Sequence, residues 1–229
     1  MTGPQRLYLY EEIMLLALRN EKGTPATAFA EHLVAGAVLA ELLLDRRISI
    51  EDTKRKLLDL HDTTPTGDPV IDECLARMAE GKRRAAMQTW LTRLAGIKEL
   101  RHKVARQLCR RGILRADEDK VLLLFTRRIY PEMDPAPERE IVERMRAAIF
   151  TETEAVAPRT VVLISLAQAA DMLGGALGRK EVRARKKRIG QIVNGEVTGK
   201  AAKEVIEACQ AAIVMTAILP AVLAASASR

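Results

Sequence analysis

Aromatic residues and cysteines are scarce in this sequence. Only 3% of its 229 residues are Phe, Trp or Tyr, a content that argues against a surface on which nucleic-acid bases stack. The three cysteines, Cys74, Cys109 and Cys209, are far apart and lie in apolar helical patterns. We therefore expect reduced thiols in the core of a protein from a reducing compartment.

The residue spacings of common catalytic and metal sites are missing as well. The three histidines, His32, His61 and His102, follow neither an H-E-x-x-H pattern nor a Cys–His ligand spacing, so the sequence predicts no metal site and no cofactor. It has no G-x-S-x-G elbow, no P-loop and no G-x-G-x-x-G that opens a helix after a strand. The adjacent carboxylates Glu11 and Glu12 would point about 100° apart on a helix, so we expect contacts with helix ends or basic side chains. The chain is predicted not to be an enzyme.

What the sequence does contain is enough apolar material for a core, together with an excess of positive charge. Apolar residues make up 48% of the chain, and 37 Lys and Arg residues against 30 Asp and Glu give a net charge of +7. This excess indicates an anionic partner, for which nucleic acid and lipid headgroups both qualify. No internal repeat and no linker long enough to separate domains is evident, so we predict a single globular domain over residues 1–229.

Apolar periodicity predicts a mainly α fold, with a helical-bundle core, surrounding amphipathic helices and a short β-hairpin. The first two predicted helices, Leu7–Leu18 and Thr27–Leu44, are apolar on most sides and belong in the bundle core. Asp68 followed by Pro69 marks the start of a third helix, because aspartate is a good N-cap and proline fits the first helical position. Ile48–Ile50 alternates as a short strand does.

The stretch Lys98–Tyr130 combines a basic helix with an apolar hairpin. Leu100, Val104 and Leu108 recur at every fourth position and should pack inward, and Gly112 supplies a left-handed residue that ends the helix. A charged turn is predicted at 117–120, followed by an apolar run at 121–125. Cations lie largely off the inward face: Lys98, His102, Lys103, Arg106 and Arg110. Cations beside an apolar hairpin suit an anionic membrane surface, but a core helix with a solvated basic face and a buried hairpin fits equally well.

The C-terminal half carries the densest positive charge. Thr160 is predicted to cap an apolar helix at Val161–Leu177, and Arg179–Arg188 is predicted to form a basic surface helix. That surface helix is either a solvated face or an additional patch for phosphate or acidic lipid. The patch would consist of Arg185, Lys186 and Arg188. The alanine-rich run Ala208–Ala225 gains little from hydrocarbon burial, so a buried helix is predicted there and not a membrane span.

Several segments occur in one order along the chain and carry a family resemblance: Leu7–Leu18, Gly36–Ile50, Pro65–Leu75, Trp90–Gly96 and Leu163–Leu173. Together with Lys98–Tyr130 they resemble the Golgi phosphoprotein 3 family, and Pro65-Thr66-Gly67-Asp68 is the most recognisable piece. Eukaryotic members of that family are peripheral membrane proteins that recognise phosphatidylinositol 4-phosphate. The abundance of alanine and arginine suits a prokaryotic homologue.

The resemblance also implies where lipid would bind. Two basic residues three apart, on the helix before the family's hairpin, contact the headgroup, and they match Lys98 and Arg101. An arginine and a tryptophan complete the family site. Here the arginine falls at Ala35 and the tryptophan falls near Pro25 or Ala26, in a shorter loop, so the sequence departs from the pattern for specific recognition of phosphatidylinositol 4-phosphate. The family hairpin, used for membrane contact and self-association, matches Val121, Leu122, Leu123, Leu124 and Phe125.

These observations lead to an expected function. We expect a peripheral membrane adaptor, cytoplasmic and reversibly membrane-associated, that binds anionic phospholipid, with phosphatidylinositol 4-phosphate among the candidates. The family's recognition of glycosyltransferase tails implies cytoplasmic tails of membrane enzymes as partners, and its hairpin implies a homo-oligomer. The alternative is a nucleic-acid-binding or regulatory protein that uses the basic surface. No helix-turn-helix with a clear recognition helix supports that alternative, so nucleic acid is not the predicted partner.

Overall fold

The computed structural model describes residues 6–19, 23–25, 30–51, 53, 55–121, 125–153, 155–198 and 206–207. Within these ranges the helices are α1 Leu9–Ala17, α2 Ala30–Leu44, α3 Pro69–Ala79, α4 Met87–Ala95, α5 Leu100–Arg110, α6 Ala136–Phe150, α7 Pro158–Ala169, α8 Leu173–Leu177, α9 Arg179–Ala184 and α10 Lys186–Val193. The strands pair antiparallel as β1 Leu18–Arg19 with β2 Thr24–Pro25, β3 Ile48–Ile50 with β4 Leu58–Leu60, and β5 Asp117–Val121 with β6 Phe125–Ile129. The predicted mainly α fold with a short hairpin is confirmed.

Helices α1 and α2 pack against each other at the centre of the bundle. Every residue of α1 is buried, and so is α2 from Leu33 to Leu43. Helices α5 and α7 contact both of them, while α4 contacts α2 and α6 contacts α1. Each outer helix buries only one stripe of side chains. This stripe includes Cys74 on α3, Leu91 on α4 and Leu108 on α5. All-round burial of two helices and one-sided burial of their neighbours is the pattern expected of a bundle core.

The segment that precedes α3 connects three helices. The Asp68 carboxylate accepts hydrogen bonds from the backbone N–H groups of Val70 (3.0 Å) and Ile71 (2.9 Å), which confirms its predicted role as the N-cap of α3. The same carboxylate accepts hydrogen bonds from the Tyr10 hydroxyl on α1, at 2.6 Å, and from Gln107 Nε2 on α5. One side chain therefore ties the start of α3 to the central helix and to the basic helix.

Helix α5 follows its predicted pattern. Leu100, Val104 and Leu108 are buried, and Gly112 has a φ of 73°, the left-handed conformation in which a residue without Cβ ends a helix without strain. The inward face of the basic helix therefore packs as the sequence indicates, and its cations point away from the core.

The charged turn predicted at 117–120 is wrong, because these residues belong to β5. Asp119 lies opposite Arg127 of β6, and the two side chains form a cross-strand ion pair. Such a pair stabilises two strands whose charged residues have low β-propensity on their own. Residues 122–124, between the two strands, lie outside the described residues.

The helix predicted over Val161–Leu177 is divided into two. Helix α7 starts at Pro158 with Ala157 as its N-cap, so Thr160 is buried within the helix and does not cap it. After Ala169 the backbone turns, and Asp171 adopts a left-handed φ of 54°. This turn lets the short α8 contact both α6 and α7, which one straight helix could not do.

The basic segment Arg179–Arg188 is also divided, since α9 ends at Ala184 and α10 begins at Lys186. The helix predicted at Ala208–Ala225 lies outside the described residues, as does Cys209. Of the two other cysteines, Cys74 is a buried free thiol, as predicted, and Cys109 is a free thiol that is only half-buried.

Candidate functional site

Arg101 lies in the first turn of α5, whereas Lys98, three residues earlier, lies in the turn just before the N-cap Glu99. The Lys98 side chain is exposed and has no hydrogen-bond or ion-pair partner in the described part of the chain. Arg101 is half-buried, and its Nε lies 3.0 Å from Oε1 of Glu31 on α2. The two candidate headgroup residues therefore differ: Lys98 has free charge, whereas the charge of Arg101 is already compensated by a carboxylate.

Glu99 ties this end of α5 to the hairpin. Its carboxylate accepts hydrogen bonds from Nη1 of Arg106 on α5 (3.3 Å) and from Nη1 of Arg128 on β6 (2.8 Å). The Arg128 bond is the main reason why the pKa of Glu99 is lowered, so this carboxylate stays ionised at neutral pH. Both arginines are exposed. We call the resulting cationic face the α5 surface, consisting of Lys98, Arg101, Arg106 and Arg128.

His102 adds no charge to the α5 surface. Its ring is half-buried, and its Nδ1 lies 2.8 Å from the Tyr130 hydroxyl. Burial is the largest cause of its lowered pKa, and the nearby guanidinium groups of Arg101 and Arg128 lower it further. The imidazole is therefore neutral at pH 7 and acts as a link between α5 and the chain that follows β6.

The sequence departs from the family's headgroup site at the arginine position and at the tryptophan position, and the structure places these two positions differently. Ala35 is fully buried in α2, so this position faces the core and presents no cation to a headgroup. The α2 side chain that does reach the α5 surface is Glu31, through its ion pair with Arg101. Pro25 forms part of β2, where it lies opposite Leu18, and Ala26 lies outside the described residues.

The apolar half of the candidate site is only partly described. Val121 and Phe125 are register partners at the last position of the β5–β6 ladder. Leu122, Leu123 and Leu124 lie outside the described residues, so membrane contact or self-association through the hairpin stays a prediction.

The second predicted patch is not a shared exposed surface. Arg188 is buried and donates to the backbone carbonyls of Ala148 (3.3 Å) and Thr153. Arg185 donates to Oε1 of Glu152 at 2.9 Å. Lys186 is exposed, with no partner among the described residues. The prediction of a patch formed by Arg185, Lys186 and Arg188 is therefore wrong, because two of its arginines are engaged in holding α10 against the end of α6.

Other arginines are neutralised inside the bundle. Glu41 accepts a hydrogen bond from Arg159 Nη1, and Glu12 pairs with Arg144 at 2.7 Å. Glu11 accepts a hydrogen bond from Arg111 Nη1 at 2.7 Å. Glu11 and Glu12 thus contact basic side chains, as the sequence predicts.

Burial raises the pKa values of Glu11 and Glu41, against the effect of their hydrogen bonds. Displaced carboxyl pKa values also occur at active sites. Here the carboxylates are engaged with arginines and with backbone N–H groups at the start of α1, and neither lines a described cavity. Their arrangement is that of structural ion pairs.

Two further observations concern metal binding and membrane-spanning helices. Within the described ranges, no cluster of three or more His, Cys, Asp and Glu residues is arranged to hold a metal ion. None of the helices that the structure describes is long and apolar enough to cross a membrane.

Sequence reasoning missed Glu31 and Glu99, although both shape the α5 surface. Glu99 lies two helical turns before Arg106, so helical periodicity offered a signal for that contact. No local pattern links Glu31 to Arg101, because the two residues are on different helices. Only the packing of α2 against α5 brings them together.

Comparison with known proteins gives two findings. A family model described as Golgi phosphoprotein 3 (GPP34) matches residues 9–209. A similar curated protein is "Vacuolar protein sorting-associated protein 74" of Eremothecium gossypii, 26% identical over 206 residues. The match covers 75% of this chain and 62% of that relative, so the chain spans less than two thirds of the relative's length.

Proposed function

Because this chain belongs to the Golgi phosphoprotein 3 family, we propose that it is a peripheral membrane adaptor that binds anionic phospholipid through the α5 surface and the adjacent hairpin. The observation that carries this proposal is the position of Lys98 and Arg101 at one end of α5, joined to β6 through the Glu99–Arg128 hydrogen bond. Cationic groups and the β5–β6 hairpin are thereby held side by side.

The rigid attachment of α5 supports this assignment. Gln107 on the inner face of α5 donates hydrogen bonds to the Asp68 carboxylate and to the Tyr10 hydroxyl, the latter at 2.9 Å. Lys103 pairs with Glu73 of α3. A helix fixed on its inner side presents its outer cations in a defined arrangement, which lowers the entropy lost when they dock on a charged surface.

The electrostatic contribution to the free energy of membrane binding is small, which indicates weak, reversible binding. Each Lys or Arg near an anionic bilayer contributes about 1 kcal/mol, and Glu31 and Glu99 offset part of the contribution from the four cations of the α5 surface. About 2 kcal/mol remains, which alone is too little for stable attachment. Insertion of two apolar side chains from the hairpin tip would add roughly 3 to 6 kcal/mol. Charge and hairpin are therefore both needed.

The lipid that we propose is acidic phospholipid in general. Glu31 competes with a phosphate for Arg101, and the buried Ala35 supplies no second cation from α2. Phosphatidylinositol 4-phosphate binds on this basis as one acidic lipid among others. Family membership supports the proposed adaptor role, in which the protein engages cytoplasmic tails of membrane enzymes at a cytoplasmic membrane face, and we assign no residues to it. Self-association through the hairpin belongs to the same proposal.

The test is co-sedimentation of purified variants with anionic liposomes at physiological salt. Lys98→Glu combined with Arg101→Glu should lower the affinity about 30-fold or more, since two lost cations correspond to about 2 kcal/mol and the new carboxylates add repulsion. Circular dichroism and thermal unfolding establish that the variant is folded.

The matched control is Lys82→Glu combined with Arg83→Glu. Both residues are exposed in the connection between α3 and α4, and the pair changes the net charge by the same amount. Its binding should stay close to wild type. If both double variants bind as wild type does, or if both lose binding equally, the α5 surface is not the lipid site.

A further inference from the structure

A cavity of about 960 Å³ lies between helices α6, α8, α9 and α10, and no function proposed above uses it. Its size is at the upper end of the range in which proteins bind small molecules. The floor is apolar and includes the buried side chains of Leu16, Leu18, Met172, Leu173 and Ile189. The described residues that line it include no Phe, Tyr or Trp, so nothing there would stack on a nucleobase or a sugar ring.

One wall of the cavity is cationic. Arg179 and Arg183 on α9 and Lys186 on α10 follow one another at intervals of four and three residues, and all three line the cavity. Their side chains are exposed, and none of them has a hydrogen bond or ion pair with a described residue. Three cations on one wall repel one another unless an anion lies between them.

This wall differs from the rest of the basic segment. Arg185 and Arg188, on the same stretch, donate to carboxylate or carbonyl oxygens at the end of α6, so their positive charge is already used. Lys180 and Lys187 are exposed but do not line the cavity. Within the basic segment, the uncompensated charge that faces the cavity is therefore confined to Arg179, Arg183 and Lys186.

The opposite end of the cavity carries carboxylates. Glu132 and Glu138 line it together with one exposed cation, Arg139, and burial raises the pKa of Glu132 although Arg139 acts against the shift. A second anionic group would be repelled there. A suitable ligand has one anionic head, which pairs with the cations of the α9–α10 wall. The rest of the ligand is uncharged and apolar, so it packs along the floor and is not repelled by the carboxylates.

We propose that this cavity binds a single-chain amphipathic anion, with its phosphate or carboxylate head between Arg179, Arg183 and Lys186 and its alkyl chain along the Leu18–Met172–Leu173 floor. The inference is independent of the membrane-binding proposal, because none of the residues of the α5 surface lines this cavity.

Two glycines allow the cavity to be blocked with a matched control. Gly175 lies on α8 and lines the cavity, and a Cβ added there meets no atom within 4 Å. The Cβ of a leucine at this position would therefore meet no clash at the cavity wall, and leucine has better helix propensity than glycine. Gly190 on α10 also has no atom within 4 Å of an added Cβ, but it does not line the cavity. Gly190→Leu is thus the same substitution in a helix outside the site.

The experiment is isothermal titration calorimetry with monomeric dodecyl phosphate, below its critical micelle concentration. Dodecanoate tests the carboxylate form of the head, dodecyl maltoside supplies the same chain with a neutral head, and inorganic phosphate supplies the head without a chain. The proposal predicts saturable binding of dodecyl phosphate or dodecanoate, and affinity at least about ten-fold lower for the maltoside and for inorganic phosphate.

The variants distinguish the cavity from general surface charge. Gly175→Leu, and separately Arg183→Glu combined with Lys186→Glu, should each lower the affinity by about ten-fold or more. Gly190→Leu, and Lys180→Glu combined with Lys187→Glu, should leave it unchanged. Equal binding of the neutral-headed detergent, undiminished binding by both cavity variants, or no binding of either anion overturns the proposal. Liposome binding through the α5 surface should be unaffected by Gly175→Leu, so the two proposals can fail separately.

Discussion

Arg159 and Lys98 show how differently two regions of this molecule use positive charge. In the bundle core, Arg159 donates to Glu41 and, at 2.7 Å, to the carbonyl oxygen of Leu7, so its guanidinium is held by α2 and by the chain before α1. At the N-terminal end of α5, Lys98 is exposed and pairs with no described residue. The first cation stabilises the fold, whereas the second is available to a partner.

The difference shows why a net charge of +7 says little about binding. Arg111, Arg144 and Arg159 neutralise carboxylates that the bundle has buried, and Arg188 is satisfied by backbone carbonyls. The cations that stay exposed and unpaired are the ones to consider, and in the described part of the chain they include Lys98 on the α5 surface and Arg179, Arg183 and Lys186 on the cavity wall. Partner binding is best argued from uncompensated cations and not from a total.

The largest effect should follow from breaking the core ion pair. Glu41→Ala leaves Arg159 without its closest carboxylate and removes the side-chain acceptor of the Leu9 N–H. We expect the free energy of unfolding to fall by about 3 to 5 kcal/mol, because removal of one partner from a buried ion pair is strongly destabilising and Arg159 keeps only the more distant carboxylate of Glu12, 3.6 Å from its Nε. Urea denaturation followed by circular dichroism measures the change.

The control for this prediction is Glu143→Ala, at an exposed position on α6, which should change stability by less than about 0.5 kcal/mol. A Glu41→Ala protein as stable as the control would mean that the buried pair is not the structural element described above.

A smaller, pH-dependent effect is expected from Glu11. Burial raises its pKa in the folded protein above the ordinary value of 4.5, so in the window between the two values the native state binds more protons than the unfolded state. The contribution of Glu11 to stability therefore falls as pH rises through that window. Compared with Glu11→Gln, the wild type should become relatively more stable as pH is lowered from 7 towards 4.5.

Urea midpoints of both proteins, taken at intervals across this pH range, measure that difference. A difference that is independent of pH, or one that shrinks as the pH falls, would contradict the assignment of a raised pKa to this buried carboxyl.

The smallest effect should come from releasing a cation on the α5 surface. Glu31→Gln removes the carboxylate that lies 3.0 Å from Arg101 Nε and leaves the shape of the side chain nearly unchanged. The affinity for anionic liposomes should rise about five-fold, as expected for about 1 kcal/mol from one additional cation. Stability should change little, because an ion pair that solvent still reaches on both sides contributes little to folding.

Co-sedimentation of Glu31→Gln is compared with that of Glu73→Gln, which removes the partner of Lys103 on the inner flank of α5. Equal effects of the two substitutions, or weaker binding of Glu31→Gln, would show that Arg101 is not part of the lipid contact.

The core helices could be predicted from the sequence because burial imposes a periodic pattern. Leu100, Val104 and Leu108 recur at helical spacing and all are buried, and Asp68 carries a capping preference that operates within its own neighbourhood. The turn predicted at 117–120 is wrong because a run of charged residues indicates a solvated turn, whereas Asp119 is compensated by a partner on the opposite strand.

The candidate site was less predictable, since it depends on contacts between elements. Lys98 and Arg101 were located through the family resemblance, but the Glu31 carboxylate that compensates Arg101 comes from another helix. The cationic neighbours of Arg188 predict a surface position for it. In the structure its side chain donates to the backbone carbonyls of residues 148 and 153. Backbone acceptors cannot be predicted from a pattern of side chains.

The most direct test of the membrane proposal is co-sedimentation of the wild-type protein with three kinds of liposome at physiological salt: neutral lipid, a generic acidic phospholipid, and phosphatidylinositol 4-phosphate at matched charge. The protein should sediment with both acidic preparations to a similar extent, and raising the salt should release it. It should not sediment with neutral liposomes. Failure to bind either acidic preparation would contradict the proposal that this protein attaches to membranes through its uncompensated cations.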